Sequence, residues 1–505
     1  MQDAASPAKT AAVSAAATAP TGAAERMSRV DTAWLRMDND VNLMMIVGVW
    51  LLTPAIPLAA MKERVESKLL QYDRFRQKAV PDAMGAMWVH DDAFDIDRHI
   101  VIEALTPHDG ETERQALQRL CGELATQPLN PKRPLWQFHF IESYEGGSAM
   151  IARIHHCIGD GIALTSVMLS ITDGGTDPPR RRRRSAPRTA GGGDDRTNQG
   201  DWLADAVLKP LTDIASRAVA MYGGGVAKSL EILAHPQQNL LGSIDMARSG
   251  AQVLADVGAL ALMADDSPTL LKGKPSGHKR VAWSEPLPLE AVKAVGRGLG
   301  CSVNDVLLSC AAGAVGEYLR ARGQDPAAKE IRAMVPVNLR PLDQAWKLGN
   351  RFGLAPLVLP IGIDNPVERV YAVHHRMDQL KGSYQPLLAF AVLAMSGLFI
   401  KPVQDMVLGM FAKKATAVMT NVPGPAQYLK FCGATLRQTM FWVPASGDIG
   451  VGVSILSYGG GVQFGLITDI ALCPDPQAVI DRFEPEFEKL LMLTLMLPWG
   501  GEASA

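Results

Sequence analysis

Short apolar runs and amphipathic stretches alternate along most of the chain. MIVGVWLL, from Met45, is rich in the branched and aromatic residues that suit a buried strand. Residues 59–72 repeat apolar positions at helical spacing. GAMWVHDDAFDI, from Gly85, predicts a strand and a turn; residues 111–126 predict a helix, and 137–142 and 148–155 predict strands. A mixed order of this kind predicts α/β layering. The pattern breaks at Gly174, where PPRRRRRSAPRTAGGGDD marks a linker without apolar period. Asp201 then caps a predicted helix with Leu203, Val207, Leu211 and Ile214 on one stripe. Helical Ala- and Leu-rich sequence continues to about Ala264. Alternation returns with KRVAW, from Lys279, and lasts to about Leu495. The predicted organisation is therefore a disordered tail (1–26), a first α/β domain (27–173), a basic linker (174–201), a helical connector (202–278) and a second α/β domain (279–497). No short-period repeat is present.

Two uncharged stretches, 41–61 and 382–400, have the length of a membrane-spanning helix. The first contains Asn42, Pro54 and Pro57 and reads as a strand. The second, with LLAFAVLAMSGLFI, reads as an apolar helix buried or docked on a surface. The first 26 residues hold 11 alanines but no continuous apolar core behind a basic start, so they do not form a secretory signal.

At 505 residues the chain is long enough for two or more cored domains. With 47% apolar and 20% charged residues it is neither fibrous nor disordered throughout. A formal net charge of −2 argues against a general polyanion binder. Arg180–Arg184 reads as a solvated linker, with attraction to anionic lipid or to the phosphates of a ligand as the alternative. Nucleic acid fits worst, because no basic face with interleaved aromatics accompanies the run. The six cysteines form no CxxC pair, so neither a disulfide framework nor a structural zinc site is expected, and reduced thiols suit the cytoplasm. GGGVAKS, from Gly223, lacks the spacing of a P-loop.

The sharpest local feature is RIHHCIGDG, from Arg153 to Gly161. An alternating strand ends at His155–His156, two glycines permit a tight turn, and a helix follows. A histidine can take a proton from a weakly acidic hydroxyl when its other ring nitrogen is held. The His-His-Asp set also suits a metal, or a purely structural role. Asp160 need not touch a base: an acid after a sharp turn commonly fixes the loop through an arginine or a backbone N–H. Ser302 and Asp305 in SVND form a capping box, which places Asn304 in the first turn of a helix.

HHCIGDG resembles the HHxxxDG signature of CoA-dependent acyltransferases. Further blocks narrow the resemblance to the bacterial wax ester synthase/diacylglycerol acyltransferase family. In order they are MSRVDTAWLRMD, YDRFRQK, FDIDRHI, PLNPKRPLWQFHFIE, SVNDVLLSCAAGAVGEYL, MVPVNLRP, GNRFG and TNVPGP, together covering roughly residues 27–495. Two positions depart from the family pattern. Leu43-Met44-Met45-Ile46 stands where a Pro-Met-His step is common, and Lys272 stands where an Asn is common.

The resemblance implies two chloramphenicol acetyltransferase-like domains packed together, with the helical connector and a tunnel between them. It implies direct transfer of a fatty acyl group from acyl-CoA to diacylglycerol or a long-chain alcohol, with no resident cofactor. His156 would be the general base and His155 its support. Asp160 and Gly161 would hold the loop, with Gly161 against substrate. Asn304 would help hold the thioester oxygen. Trp136 of PLW reads as a packing element. TNVPGP reads as a tight turn, with Thr420 and Asn421 in the channel wall. Association with the inner membrane or lipid inclusions follows from the lipid substrates. The competing readings are a condensation-domain-like transferase and a non-catalytic lipid-surface-binding protein.

Overall fold

The computed structural model of the chain describes residues 24–175 and 263–496, apart from 84, 328, 341–346, 382–384 and 397–400. The first half runs β1 (Glu25–Arg26), α1 (Arg29–Met37), β2 (Met45–Thr53), α2 (Leu58–Lys68), β3 (Gln77–Asp82), β4 (Gly85–His90), β5 (Ile100–Ile102), α3 (Glu113–Ala125), β6 (Trp136–Tyr144), β7 (Gly147–His155) and α4 (Gly161–Ser170). The second half begins with β8 (Lys279–Trp283), β9 (Leu287–Pro288), α5 (Leu289–Leu299), α6 (Val303–Ala321), β10 (Ile331–Asn338) and β11 (Phe352–Leu359). It continues through α7 (Pro366–Lys381), α8 (Gln385–Ser396), α9 (Lys401–Ala412), β12 (Ala417–Pro423), β13 (Lys430–Phe431), β14 (Ala434–Trp442), β15 (Val451–Tyr458), β16 (Gly461–Asp469), α10 (Pro476–Ile480) and α11 (Phe483–Leu495).

Local chemistry explains many of the boundaries. The Ser28 hydroxyl accepts from Asp31 N–H to start α1. Thr112 and Gln115 close a capping box on α3, and Ser302 and Asp305 close one on α6. Every residue of β7 is buried, the polar Ser148, Arg153 and His155 included, because both faces are covered: Met150, Ala152 and Ile154 join one core cluster and Ala149 and Ile151 another.

The chain folds into two large sheets and a three-stranded sheet, β1-β4-β3. One large sheet has the order β13-β14-β2-β7-β6-β5. The other is β11-β10-β12-β15-β16-β8, with β9 also paired to β16. Strands β13 and β14 belong by sequence to the second half but by pairing to the first sheet. The β14–β2 register runs from Thr435↔Thr53 to Trp442↔Val47, and β2–β7 pairs Met45 with His155. Both ladders are antiparallel, so β14 and β7 run the same way and end at the same edge. The loop after β14 is thereby delivered beside the two histidines.

Several expectations need correction. Glu25 and Arg26 lie in the expected tail yet pair with β4, and Arg26 also forms an ion pair with Asp82 of β3 at 2.7 Å. Residues 263–278, within the expected helical connector, contain no helix. The polar groups of this stretch are held from outside it. Asp266 accepts from Arg332 N–H and Thr416, and Asp469 accepts from Ser276 and Gly277. The linker, the remaining connector and Arg180–Arg184 lie outside the described residues. TNVP is not a turn: residues 417–423 pair with β15 through Pro423↔Ser457, Gly424 N–H still donates to Ser457 O, and the bend comes only at Ala426 and Gln427. Parallel pairing lets the missing proline N–H fall at the strand end.

No single helix among the described residues is long and apolar enough to cross a membrane, although α5 and α6 pass that test together as a pair bent by 99°. Helix α6 is lined with core residues on most of its length. The stretch 41–61 contains buried strand β2. The stretch 382–400 contains α8, whose Leu388, Phe390 and Leu393 are buried.

Candidate active site

The HHCIGDG turn leaves β7 at its buried end. The His156 N–H donates to Met44 O at 2.7 Å, so the LMMI step that departs from the family pattern touches the motif through its backbone. His155 Nδ1 accepts from Cys157 N–H at 3.1 Å. A nitrogen that accepts carries no proton, so the ring proton sits on Nε2. That atom approaches Asp38 Oδ2 at 3.2 Å, an ion-pair distance without hydrogen-bond alignment.

His156 is 3% exposed. Trp34 stacks on its imidazole, with centroids 4.0 Å apart and planes at 15°. Phe352 closes in at 5.6 Å. Nδ1 is buried without a hydrogen-bond partner, while the ring itself lines a cavity of ≈ 300 Å³. Burial lowers its pKa to about 3. The Asn350 side chain and the residue's own backbone oppose that shift. Desolvation disfavours the charged form, so the ring is neutral and able to accept a proton. The sign is direct: protonation disables a base, and a lowered pKa moves that loss to lower pH. In the free enzyme, kcat/KM measured from pH 5 to 8 is therefore expected to show no acid limb near 6.5. A limb at 6–7 that vanishes in a His156 variant would contradict a ring this buried.

Asp160 does not support His156 directly. Its Oδ1 accepts from Ala163 N–H at 2.9 Å and so caps α4. Its Oδ2 accepts from Arg340 Nη2 and from Arg351 N–H, both at 2.9 Å. Arg340 also donates to Gly349 O and Lys347 O, each at 2.6 Å. Gly349 N–H in turn donates to Ile158 O at 3.1 Å. Gly349 has φ +107, a conformation that favours glycine. NLRP and GNRFG, from the second half, thus clasp the HHCIGDG turn.

A third segment completes the clasp. Asn350 Nδ2 donates to His156 O at 2.7 Å and to Asp31 Oδ1 at 2.8 Å; Asn350 N–H donates to the same oxygen at 3.0 Å. Asp31 comes from α1, in the MSRVDTAWLRMD block. Burial raises its pKa, against the hydrogen bonds from Asn350 and Ser28. Trp34, Asp31, Arg340 and Asn350 all lie in blocks quoted for the family resemblance, but nothing local in the sequence assigns them a task.

Gly161 and Ile162 bring the start of α4 to the cavity, and a Cβ at Gly161 would meet nothing within 4 Å. This end carries free backbone N–H groups and the positive end of the helix dipole. Thr420 and Asn421 line the same cavity. Asn304 is absent from its lining and reaches the wall indirectly, its Oδ1 accepting from Asn421 Nδ2 at 2.9 Å. Asp305 completes the capping box and accepts from His374 Nδ1 at 2.8 Å, outside the cavity. Lys272 also stays outside it: Nζ donates to Ala412 O at 2.8 Å and to Ala415 O. Trp136 of PLW is buried and donates to Phe75 O at 2.9 Å, a packing role.

Apart from Asp160, Asn338 and Ser446, the remaining walls are apolar. Phe390 and Leu393 come from α8, Leu408 and Ala412 from α9, and Phe441 and Val443 from the end of β14. The site thus offers a neutral base, a helix start able to face a developing oxyanion, and a dry surface for hydrocarbon.

The chain matches the wax ester synthase/diacylglycerol acyltransferase catalytic domain over residues 27–307 and the WS/DGAT C-terminal domain over residues 348–491. It is 25% identical over 480 residues to the probable diacylglycerol O-acyltransferase tgs1 of Mycobacterium tuberculosis H37Rv, covering 93% of this chain and 96% of that one. It is 27% identical over 479 residues to tgs2 of the same strain, described likewise, covering 91% and 97%. The fold is similar to that of a wax ester synthase/diacylglycerol acyltransferase from Marinobacter aquaeolei VT8, with TM-score 0.63, 20% identity, and coverage of 94% and 100%. The starter condensation domain of rhizomide synthetase shares the fold at TM-score 0.54 and 12% identity, with coverage of 94% and 94%. From the match over more than half its length, this chain belongs to the wax ester synthase/diacylglycerol acyltransferase family.

Proposed function

We propose that this protein moves a fatty acyl group from the thioester of acyl-CoA to the hydroxyl of diacylglycerol or a long-chain alcohol. The observation that carries the reading is His156: a buried, neutral imidazole on the wall of an apolar cavity, beside a helix start. His156 takes the hydroxyl proton as the oxygen attacks the thioester carbonyl. The C–O bond forms and charge builds on the carbonyl oxygen, where the N–H groups at the start of α4 can receive it. The C–S bond then breaks, and the imidazolium returns its proton to the CoA thiolate. No acyl-enzyme is required. Each buried methylene of the lipid contributes ~0.8 kcal/mol, so an apolar wall binds long chains with few polar contacts.

Substrates of this kind reside in membranes or lipid inclusions, and we place the protein on such a surface. In support, Met406 on α9 is 64% exposed on the same helix that supplies Leu408 and Ala412 to the cavity.

The decisive assay uses purified protein and labelled palmitoyl-CoA, with hexadecanol and dipalmitoylglycerol offered separately. CoA release with ester formation is expected from at least one acceptor. No release with either would remove the reading. Ester formation with hexadecanol alone would narrow it to wax ester synthesis.

A further inference from the structure

The geometry points to a binding site for a divalent transition-metal ion of the zinc class, formed by Cys301, Asp305 and His374 at the corner where α5, α6 and α7 meet. The site lies apart from the acyl-transfer chemistry and does not depend on His156 being the base.

One ligand atom from each residue lies within 4.8 Å of the other two: the Cys301 sulfur, a carboxylate oxygen of Asp305 and a ring nitrogen of His374. Cysteine spacing cannot reveal the set, because 69 positions separate Asp305 from His374. Thiolate, imidazole and carboxylate together suit a zinc-class ion rather than magnesium or calcium, which take oxygen. The fold prepares the group from both sides. Gly300, at φ +66, ends α5, and Cys301 N–H donates back to Gly296 O at 2.8 Å. Ser302 and Asp305 lock the start of α6 through the capping box. Tyr371, one turn before His374 on α7, donates to Leu299 O at 3.2 Å and ties that helix to the same corner.

Two features go beyond what the capping box requires. Asp305 is 1% exposed, and its Oδ2 already receives Ser302 N–H at 2.9 Å and His374 Nδ1 at 2.8 Å. Its Oδ1 is buried without a hydrogen-bond partner, which is costly for a carboxylate unless a cation meets it. The second feature is the far side of the His374 ring, where Nε2 lies 3.3 Å from Asp378 Oδ2. A metal-bound histidine commonly donates that N–H to a carboxylate, which fixes the ring and leaves the other nitrogen bare for the ion. Lys381 takes the other oxygen of Asp378 at 3.1 Å, so Oδ2 stays turned to the ring.

On binding, the ion takes the place of the proton between His374 Nδ1 and Asp305 Oδ2, and the imidazole keeps its proton on Nε2. Cys301 gives its proton to solvent and coordinates as the thiolate. Neighbouring ligands of a tetrahedral zinc lie about 3.3 Å apart, so the 2.8 Å pair opens by about 0.5 Å. His374 can make that movement, since its side chain is 37% exposed. Three protein ligands leave a fourth position to water. Asn304, beside Asp305, reaches the cavity wall through Asn421, so the ion steadies the corner from which that contact is made.

The test uses the untagged full chain, stripped with a chelator and titrated with Co²⁺ alone. One ion per chain is expected, with the charge-transfer absorption of a thiolate–cobalt bond, and Zn²⁺ is expected to displace it. Cys301→Ser is expected to abolish that absorption, and Cys432→Ser, at the other partly exposed thiol, to leave it intact. Asp378→Asn is expected to weaken Co²⁺ binding ~10–100-fold, and His374→Gln at least as much. A wild type without the thiolate–cobalt absorption overturns the site. So does absorption retained by Cys301→Ser, or an affinity unchanged in both Asp378→Asn and His374→Gln. If Cys301→Ser fails to fold, the two α7 variants decide, at positions 52% and 37% exposed at the side chain. None of these readouts uses turnover, so a failed acyltransferase assay leaves them unchanged.

Discussion

His156→Leu is expected to lower kcat by ~10²–10⁴-fold, the range contributed by a positioned base. Leucine fills much of the imidazole volume and restores no lone pair. The imidazole makes no hydrogen bond that the fold depends on: Nδ1 is unpartnered, and the residue is held by its backbone, through His156 N–H to Met44 O and Asn350 Nδ2 to His156 O. The variant should therefore melt near the wild-type temperature and lose turnover. Palmitoyl-CoA turnover and circular dichroism on the same sample check this. Near-normal turnover in a folded protein would show that the base lies elsewhere. The contrast with His155→Gln is informative. That ring meets Cys157 N–H and Asp38 but is not in the cavity lining, so its loss acts through the shape of the turn.

Arg340→Leu is expected to cost ~3–5 kcal/mol, because it strands a buried carboxylate. Arg340 and Asp160 are 4% and 7% exposed at the side chain, and they join across 2.9 Å. Their attraction is not itself the main source of stability, since burying both charges carries a desolvation cost. The damage comes from leaving Asp160 charged, buried and short of a donor. A melting temperature lower by about 10 °C follows for a domain of this size. Asp160→Asn in the Arg340→Leu background should recover part of the loss, because it removes the stranded charge. A single variant that melts within about 2 °C of wild type would rule out the clasp as a stability element. Because the same arginine ties Gly349 and Lys347 to the turn, turnover should fall alongside stability.

The HHCIGDG turn is legible in the sequence because its causes are local. A buried run ending in histidines, glycines that permit the bend, and an aspartate that caps the next helix all act within nine residues, Arg153 to Gly161. The capping box at Ser302–Asp305 is readable for the same reason, and it correctly supplies the structural role of Asp305. The role of Asn304 is less direct than its place in the first helical turn suggests. Asn421 stands between it and the cavity, and no periodicity reports a side-chain bond across 117 positions. TNVPGP misleads because proline and glycine mark turns locally, while a parallel partner strand holds residues 417–423 extended.

By itself the sequence determined the alternation of strand and helix, the bend that carries two histidines, and the apolar character of the later helices. Those properties follow from side-chain spacing, backbone freedom and capping groups that meet within a few residues. Only the tertiary structure decided that β14 crosses into the first sheet, that Arg340 neutralises Asp160, and that Asp31 and Asn350 meet at His156. Asp31 and Asn350 are separated by 319 positions. Such contacts arise because burying the two sheets brings distant polar groups out of water together, where each must find a partner or remain unsatisfied.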